Sequence, residues 1–264
     1  MNHLLRSQAP ISDSGWNLLD EEARERLGPA LAARRLVDFK GPLGWDYAAT
    51  NLGRSTPVEE GLGDGLSARR RSVLALLELR AEFEILRSEL EDADRGAPDT
   101  DLSPLDAAAL RIATAENAAV LMGRGDQDGI AKRSPHERVS LGAPEDYPAA
   151  LARASESLLA SGVSGPFGLA LADEQYREAV GSTSRGGYPL LEHLRRIVEG
   201  PIVWAPGTEG GVLVSLRGGD FTFECGQDLS IGYSAHDERA VRLYLEESFS
   251  FHVATPEAAV VLEV

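Results

Sequence analysis

Cysteine is almost missing from this 264-residue chain, with Cys225 the single example. One thiol closes no intrachain disulfide and builds no cysteine metal cluster, which excludes a stapled scaffold and a zinc ribbon. Cys225 itself reads as a small, half-buried apolar side chain in a strand rather than a nucleophile. Long apolar runs are lacking too. Nothing approaches the ~18 apolar residues of a membrane span, and Leu4-Leu5 is far too short for a signal-peptide core. The expectation is a cytoplasmic protein with no membrane partner. Positive charge is scarce, with 26 Lys and Arg against 42 Asp and Glu, a net charge of −16. Such a field repels phosphate backbones, so nucleic acid is not an expected partner. The one basic cluster, Arg69-Arg70-Arg71, is too short for a nucleic-acid patch.

The fingerprints of catalysis are also lacking. No Gly-x-Gly-x-x-Gly opens a helix after a strand, and neither a Walker loop nor a Gly-x-Ser-x-Gly elbow occurs. His3, His136, His193, His236 and His252 are scattered without metal-ligand spacing. Glu246 and Glu247 are adjacent, and adjacent strand residues point to opposite faces, so they read as one exposed and one paired carboxylate rather than an acid/base couple. Glu89, Glu91, Asp92, Asp94, Asp99 and Asp101 lack the ligand spacing of a calcium loop and read as a solvated loop. No enzyme activity, cofactor or metal is expected.

What the chain does have is an ordinary globular composition, 43% hydrophobic and 26% charged, long enough to bury a core unaided. Residues 12–35 carry Trp16, Leu19, Ala23, Leu27 and Leu31 at helical steps behind a Ser12 or Asp13 cap, with a kink or break expected at Gly28-Pro29. A short strand is expected at 36–39. Between Trp45 and Leu79 the chain is poor in core residues and its tip reads Gly61-Leu62-Gly63-Asp64-Gly65, the pattern of a long hairpin. A two-stranded ribbon is marginal alone, so it needs an outside partner. Leu77, Leu79, Ala81, Phe83 and Ile85 alternate with charged residues as a half-buried strand. Ser103-Pro104 opens a helix to Met122 whose face runs through Leu105, Ala109, Ile112, Ala113, Glu116 and Val120. Helices at 147–161, 173–180 and 188–198 and strands at 167–172, 201–204, 211–217 and 220–225 make a second unit. Alternation resumes from Val241 to Val253 and the chain closes on Ala259-Val260-Val261-Leu262. Trp16 and Trp204 read as packing residues. Trp45 either anchors the root of the hairpin or stacks a ligand.

Taken in order, these segments resemble the encapsulin shell proteins, a family also described as linocin-like bacteriocins. The carriers are Leu5-Arg6 with Ala9-Pro10-Ile11-Ser12, then Trp16, then Arg34-Arg35-Leu36-Val37-Asp38. Gly41-Pro42 and Gly44-Trp45-Asp46-Tyr47-Ala48-Ala49 follow, then Leu77-Glu78-Leu79-Arg80, Arg95-Gly96 and Gly165-Pro166. Tyr188-Pro189-Leu190 and Arg217-Gly218-Gly219-Asp220-Phe221 come next. The strongest is Gly226-Gln227-Asp228-Leu229-Ser230-Ile231-Gly232-Tyr233, followed by Ala240-Val241-Arg242-Leu243.

The resemblance implies an α+β fold like that of tailed-phage major capsid proteins, with a peripheral domain, an axial domain and an extended loop. Residues 1–47 would hold the N-terminal helix and the first part of the peripheral domain, 48–73 the extended loop, 74–131 more of the peripheral domain, 132–224 the axial domain, and 225–264 the closing peripheral strands. It implies assembly of 60 copies, or a multiple, into an icosahedral cage around a cargo enzyme, a dye-decolourising peroxidase or a ferritin-like protein. Iron storage or defence against oxidative stress would follow from the guest. The guest's C-terminal peptide would dock in a groove formed by Leu27, Leu31, Arg34, Arg35, Leu36, Val37 and Asp38 facing Leu229, Ile231 and Tyr233, where each apolar member reads equally as plain core. Ser184, Arg185, Gly186, Gly187 and Tyr188 would rim a fivefold pore, Arg185 being either a pore cation or an ordinary loop charge. Two other readings stand beside this one. A phage major capsid protein of the same fold would package DNA, which the acidic chain disfavours; an α/β hydrolase would need a nucleophile and base that are not evident.

Overall fold

The computed structural model describes residues 3–58, 66–125, 127–183 and 186–264. Helix α1 spans Asp13–Ala30, and Ser12 caps it by accepting a hydrogen bond from the Gly15 amide at 2.9 Å. An N-cap hydroxyl satisfies an amide that the first turn leaves unpaired. Its buried face is Trp16, Leu19, Ala23, Leu27 and Ala30. No break occurs at Gly28: Pro29 sits inside the last turn and the helix ends one residue later. Pro29 has no amide to donate to the Glu25 carbonyl, and the helix stops one residue beyond it. A 3-10 turn at Ala33–Arg35 follows, and strand β1 is Asp38–Lys40 rather than 36–39.

Strands β2 (Ala49–Val58) and β3 (Ala68–Ala75) form a separate antiparallel ribbon. Its glycine-rich tip lies outside the described residues. Strand β4 (Leu77–Leu86) alternates as expected, with Ala81, Phe83 and Ile85 buried between exposed Glu82, Glu84 and Leu86. Helix α2 (Arg87–Asp94) replaces the expected solvated loop: an acidic stretch can be helical when one residue, here Leu90, is buried. Helix α3 (Ser103–Asn117) continues through a π turn at Ala118–Met122, so the expected helix to Met122 is present with a widened last turn. Gly123, at φ +82°, then turns the chain back against Gly129, where a Cβ would meet the Gly123 amide nitrogen at 2.1 Å.

Helix α4 (Ile130–Arg133), strand β5 (Val139–Ser140), helix α5 (Tyr147–Ala160), strand β6 (Phe167–Leu171), helix α6 (Asp173–Gly181) and helix α7 (Leu190–Val198) follow. The remaining strands are β7 (Ile202–Trp204), β8 (Gly211–Ser215), β9 (Phe221–Cys225), β10 (Ser230–His236), β11 (Ala240–Val253) and β12 (Ala259–Glu263). They make two mixed sheets. In the first, the order is β1-β9-β11-β10, with β4 also paired to β11 along Ala240–Phe249. In the second it is β5-β12-β8-β6-β7. Strand β9 belongs to the first sheet and the terminal strand β12 to the second.

Each sheet covers its own core. Helices α1 and α3 bury Trp16, Leu19, Leu105, Ile112 and neighbours against Phe83, Ile85, Ile231 and Leu243 of the first sheet. A larger core fills the second sheet and α5 and α7, and extends to Phe223, Phe249 and Phe251. Strand β11 serves both, because its fourteen residues run from one core to the other.

Candidate functional site: a groove beside helix α1

The C-terminal half of α1 lies across the start of β10 and leaves an open groove of about 410 Å³ between them. Ala23, Leu27, Gly28 and Leu31 line one wall; Leu229, Ser230, Ile231 and Leu245 line the other. Leu27 and Ile231 are buried core members showing only an edge, while Leu31 and Leu229 are half-exposed. The rim is charged. Arg6 holds Asp20 in a two-pronged ion pair at 3.1 and 2.7 Å and lies 4.1 Å over the Trp16 ring. Arg24 forms no ion pair among the described residues and faces solvent. An apolar trough with fixed charges at its lip suits a short extended peptide better than a small polar metabolite.

One end of the groove is closed by Arg34. Its guanidinium donates to Glu116 Oε2 at 2.7 Å, Asp228 Oδ1 at 2.7 Å and Glu247 Oε2 at 2.6 Å. Four separate segments meet there: the turn after α1, helix α3, the loop before β10, and β11. Glu116 and Glu247 are fully buried. Desolvation pushes both carboxyls above their ordinary range, although Arg34 opposes the shift. Each also has one carboxylate oxygen without a hydrogen-bond partner, and a proton held between the two carboxyls would relieve their repulsion. Both members of the Glu246-Glu247 pair are therefore buried, contrary to the expectation of one exposed side chain; Glu246 lies beneath Arg80 and His3. Burial, reinforced by Asp228, pushes the Cys225 thiol up to about 12, so it stays protonated and is no nucleophile.

Five of the ten residues expected in a peptide groove meet here: Leu27, Leu31, Arg34, Leu229 and Ile231. The other five do not. Arg35, Leu36, Val37 and Asp38 line a separate hollow of about 270 Å³ with Leu216 and Phe221. Leu36 is buried there, packed so closely on Gly168 that a Cβ at that glycine would lie 2.5 Å from its δ-carbon. Asp38 accepts the Gly219 amide. Tyr233 points toward His236, its hydroxyl 2.5 Å from Nδ1, and its amide donates to the Leu4 carbonyl. The 3-10 turn at residues 33–35 explains the split, because it swings Arg35 onward away from the face that Leu27 and Leu31 share.

Ser184 and Arg185 lie outside the described residues. Gly186 and Gly187 have φ +107° and +81°, in the positive-φ region open to glycine. Tyr188 is 39% exposed beneath Arg196, whose guanidinium lies 5.1 Å from its ring. A bridge between Thr183 and Pro189 closes the loop's neck. Trp45 is 46% exposed and stacks on His3 at 4.0 Å; the root of the ribbon is held elsewhere, by Tyr47 and Thr50. Among the described residues no group of three His, Cys, Asp or Glu side chains is placed to hold a metal ion. No helix there is long and apolar enough to cross a membrane.

The groove residues that sequence reasoning missed are Arg6, Asp20, Arg24 and Asp228, with Glu116 and Glu247 behind them. Glu116 carried a usable signal, since a carboxylate on the apolar face of a helix requires a buried cation. Asp20 and Arg24 carried none, because exposed helix charges look alike in sequence.

The two-sheet body with its projecting ribbon is the fold of tailed-phage capsid proteins. A virus-like particle from Pyrococcus furiosus superposes with a TM-score of 0.61 at 20% identity, over 92% of this chain and 98% of that one. The protein of Mycobacterium phage Ogopogo gives 0.56 at 13% identity, over 87% and 90%. At such identities the likeness concerns the fold. The family is shown by sequence. Residues 1–250 match the family described as an encapsulating protein for peroxidase. The type 1 encapsulin shell protein of Rhodospirillum rubrum is 46% identical, covering 99% of this chain and 96% of its own. That of Rhodococcus erythropolis is 42% identical, over 99% and 100%. The chain belongs to the type 1 encapsulin shell protein family. It is therefore a structural protein that assembles with copies of itself into a capsid-like particle, not an enzyme.

Proposed function

We propose that the particle is a closed cytoplasmic container whose inner wall captures a guest enzyme through a short C-terminal peptide seated in the groove beside α1. The observation that supports this reading is the groove itself: an apolar floor at Leu27, Leu31, Leu229 and Ile231 bounded by fixed charges. Each peptide contributes modestly, but a shell presents one groove per subunit, so a guest that is itself oligomeric gains avidity. The guest class is a dye-decolourising peroxidase or a ferritin-like protein, which gives the container a part in oxidative-stress defence or iron storage. The loop from Ser184 to Tyr188 forms the solute port around the fivefold axis, where Arg185 favours anions.

The test isolates shells from cells that also make the native guest and identifies the co-purifying protein by mass spectrometry. Leu31→Asp with Leu229→Asp, both half-exposed, is expected to leave hollow particles in the electron microscope and remove the guest. Guest retained at the parental ratio sinks the groove reading. The same particles report on the port: Arg185→Glu slows entry of a small anionic substrate to an enclosed enzyme, and an unchanged rate removes Arg185 from that role.

A further inference from the structure

The second sheet ends in a hollow of its own. Strands β6 and β7 run parallel, with Leu171 opposite Trp204 at their carboxyl ends, and helix α6 leaves from that end at Asp173. Sheets of parallel strands place their ligand crevices outside such ends. Here the space is about 700 Å³, walled by Trp204, by Pro29 and Arg35, and by one face of α6. That face carries Asp173, Tyr176, Arg177 and Val180 at helical steps of three and four residues, while α6 buries Gln175 and Ala179 instead. The hollow shares no residue with the groove, which takes Gly28 and Leu31 from the same stretch of chain.

The chemistry of the wall is specific. Two aromatic rings, Trp204 and Tyr176, stand with two guanidinium groups, Arg35 and Arg177. Both arginines are exposed, and neither forms an ion pair among the described residues. That is unusual company in a chain where 42 acids face 26 bases. The Tyr176 hydroxyl likewise has no hydrogen bond among the described residues. Asp173 is the one carboxylate on the wall, and it accepts the Trp204 indole N–H, which holds the indole against the start of α6. Val180 adds apolar surface and is 55% exposed. Guanidinium groups stack on planar rings and grip carboxylate or phosphate oxygens in a fork, and the volume is that of a small-molecule site.

We propose that this hollow binds a small planar aromatic anion, with its ring against Trp204 and Tyr176 and its oxyanion on Arg35 and Arg177. A neutral ring would bury the same apolar area and leave both guanidinium groups unused, so the site discriminates by charge. The strongly acidic chain repels anions elsewhere on its surface, which makes the paired arginines selective. This site does not depend on the guest-peptide groove.

The test titrates assembled particles with 2-naphthoate and with neutral 2-naphthamide by calorimetry. The parent is expected to bind naphthoate at a single class of site per chain, at least about tenfold more tightly than the amide. Arg35→Gln with Arg177→Gln is expected to form the same particles and lose that preference. Val180→Trp, which fills the hollow, is expected to abolish binding of both ligands. Naphthoate bound no better than the amide by the parent overturns the proposal. A preference that survives in the glutamine variant, or binding that survives in Val180→Trp, places the ligand elsewhere and overturns it too. Particles that bind neither ligand, together with a glutamine variant that stays folded by circular dichroism but no longer assembles, mark the hollow as a contact between copies and overturn the small-molecule site.

Discussion

At the scale of single residues, Arg34 matters because of what it leaves behind if removed. Its guanidinium is 14% exposed and neutralises two carboxylates with no access to water. Breaking a buried pair from one side costs about 3–5 kcal/mol, since the orphaned charges stay desolvated. Arg34→Ala should therefore lower the thermal midpoint sharply, and Arg34→Lys only partly less, because an ammonium cannot span Glu116, Glu247 and Asp228 together. The two raised carboxyls set the pH dependence. The folded chain holds Glu116 and Glu247 above their ordinary range, so it binds more protons than the unfolded chain once pH exceeds that range. The stabilisation is complete below the unfolded carboxyl range and declines as pH rises through the elevated one. Glu247→Gln mimics the protonated member, so urea midpoints followed upward in pH from the ordinary carboxyl range should fall less steeply in that variant. An identical slope would mean that the pair does not share a proton.

At the scale of elements, the ribbon and body are joined by a small polar pin. Glu224 of β9 accepts from Tyr47 at 2.7 Å and from Thr50 at 2.6 Å, and Thr50 also meets Ser250 of β11 at 2.6 Å. Burial works against the Glu224 carboxylate, but these hydroxyls and Lys40 outweigh it and hold its pKa below the ordinary value. A depressed carboxyl stabilises above the unfolded range and loses that contribution as pH falls through the folded one. Amide exchange at Thr50 and Asn51 is accordingly expected to quicken in acid, beyond the intrinsic rate, and Thr50→Val to reduce that step. This pin was illegible in the sequence, because its partners stand 174 to 200 residues apart. Local pattern served better where one face is buried. The stripe of α1, the alternation of β4 and the apolar face of α3 all stand where periodicity puts them. It failed at α2, where one buried leucine among acids gives no period, and at β10, whose Gly232 and Ser234 weaken the strand signal. Gly232 has a steric reason the sequence hides, since a Cβ there would lie 2.2 Å from the Tyr244 ring. The groove was half legible for the same reason: α1 and the segment after it looked continuous, and only the turn at residues 33–35 separates their faces.

At the scale of the whole molecule, the ribbon is an appendage in energetic terms. Among the described residues, none between Leu52 and Ser72 belongs to either core, so the body does not depend on it for buried apolar area. Two-stranded ribbons are marginal in water, and this one persists on its pairing with itself and its pinned root. Its removal thus separates folding from assembly. Replacing Leu52–Ser72 with an Asn-Gly turn keeps Asn51 opposite Val73, a pairing the native register already uses, and a two-residue turn of that type matches strand twist. The shortened chain should keep its thermal midpoint within a few degrees and sediment as a monomer or small oligomer at concentrations where the parent forms particles. Both outcomes are needed. If the midpoint collapses, the ribbon contributes to the body in a way its exposure does not reveal. If particles still form, assembly depends on contacts between bodies rather than on the ribbon.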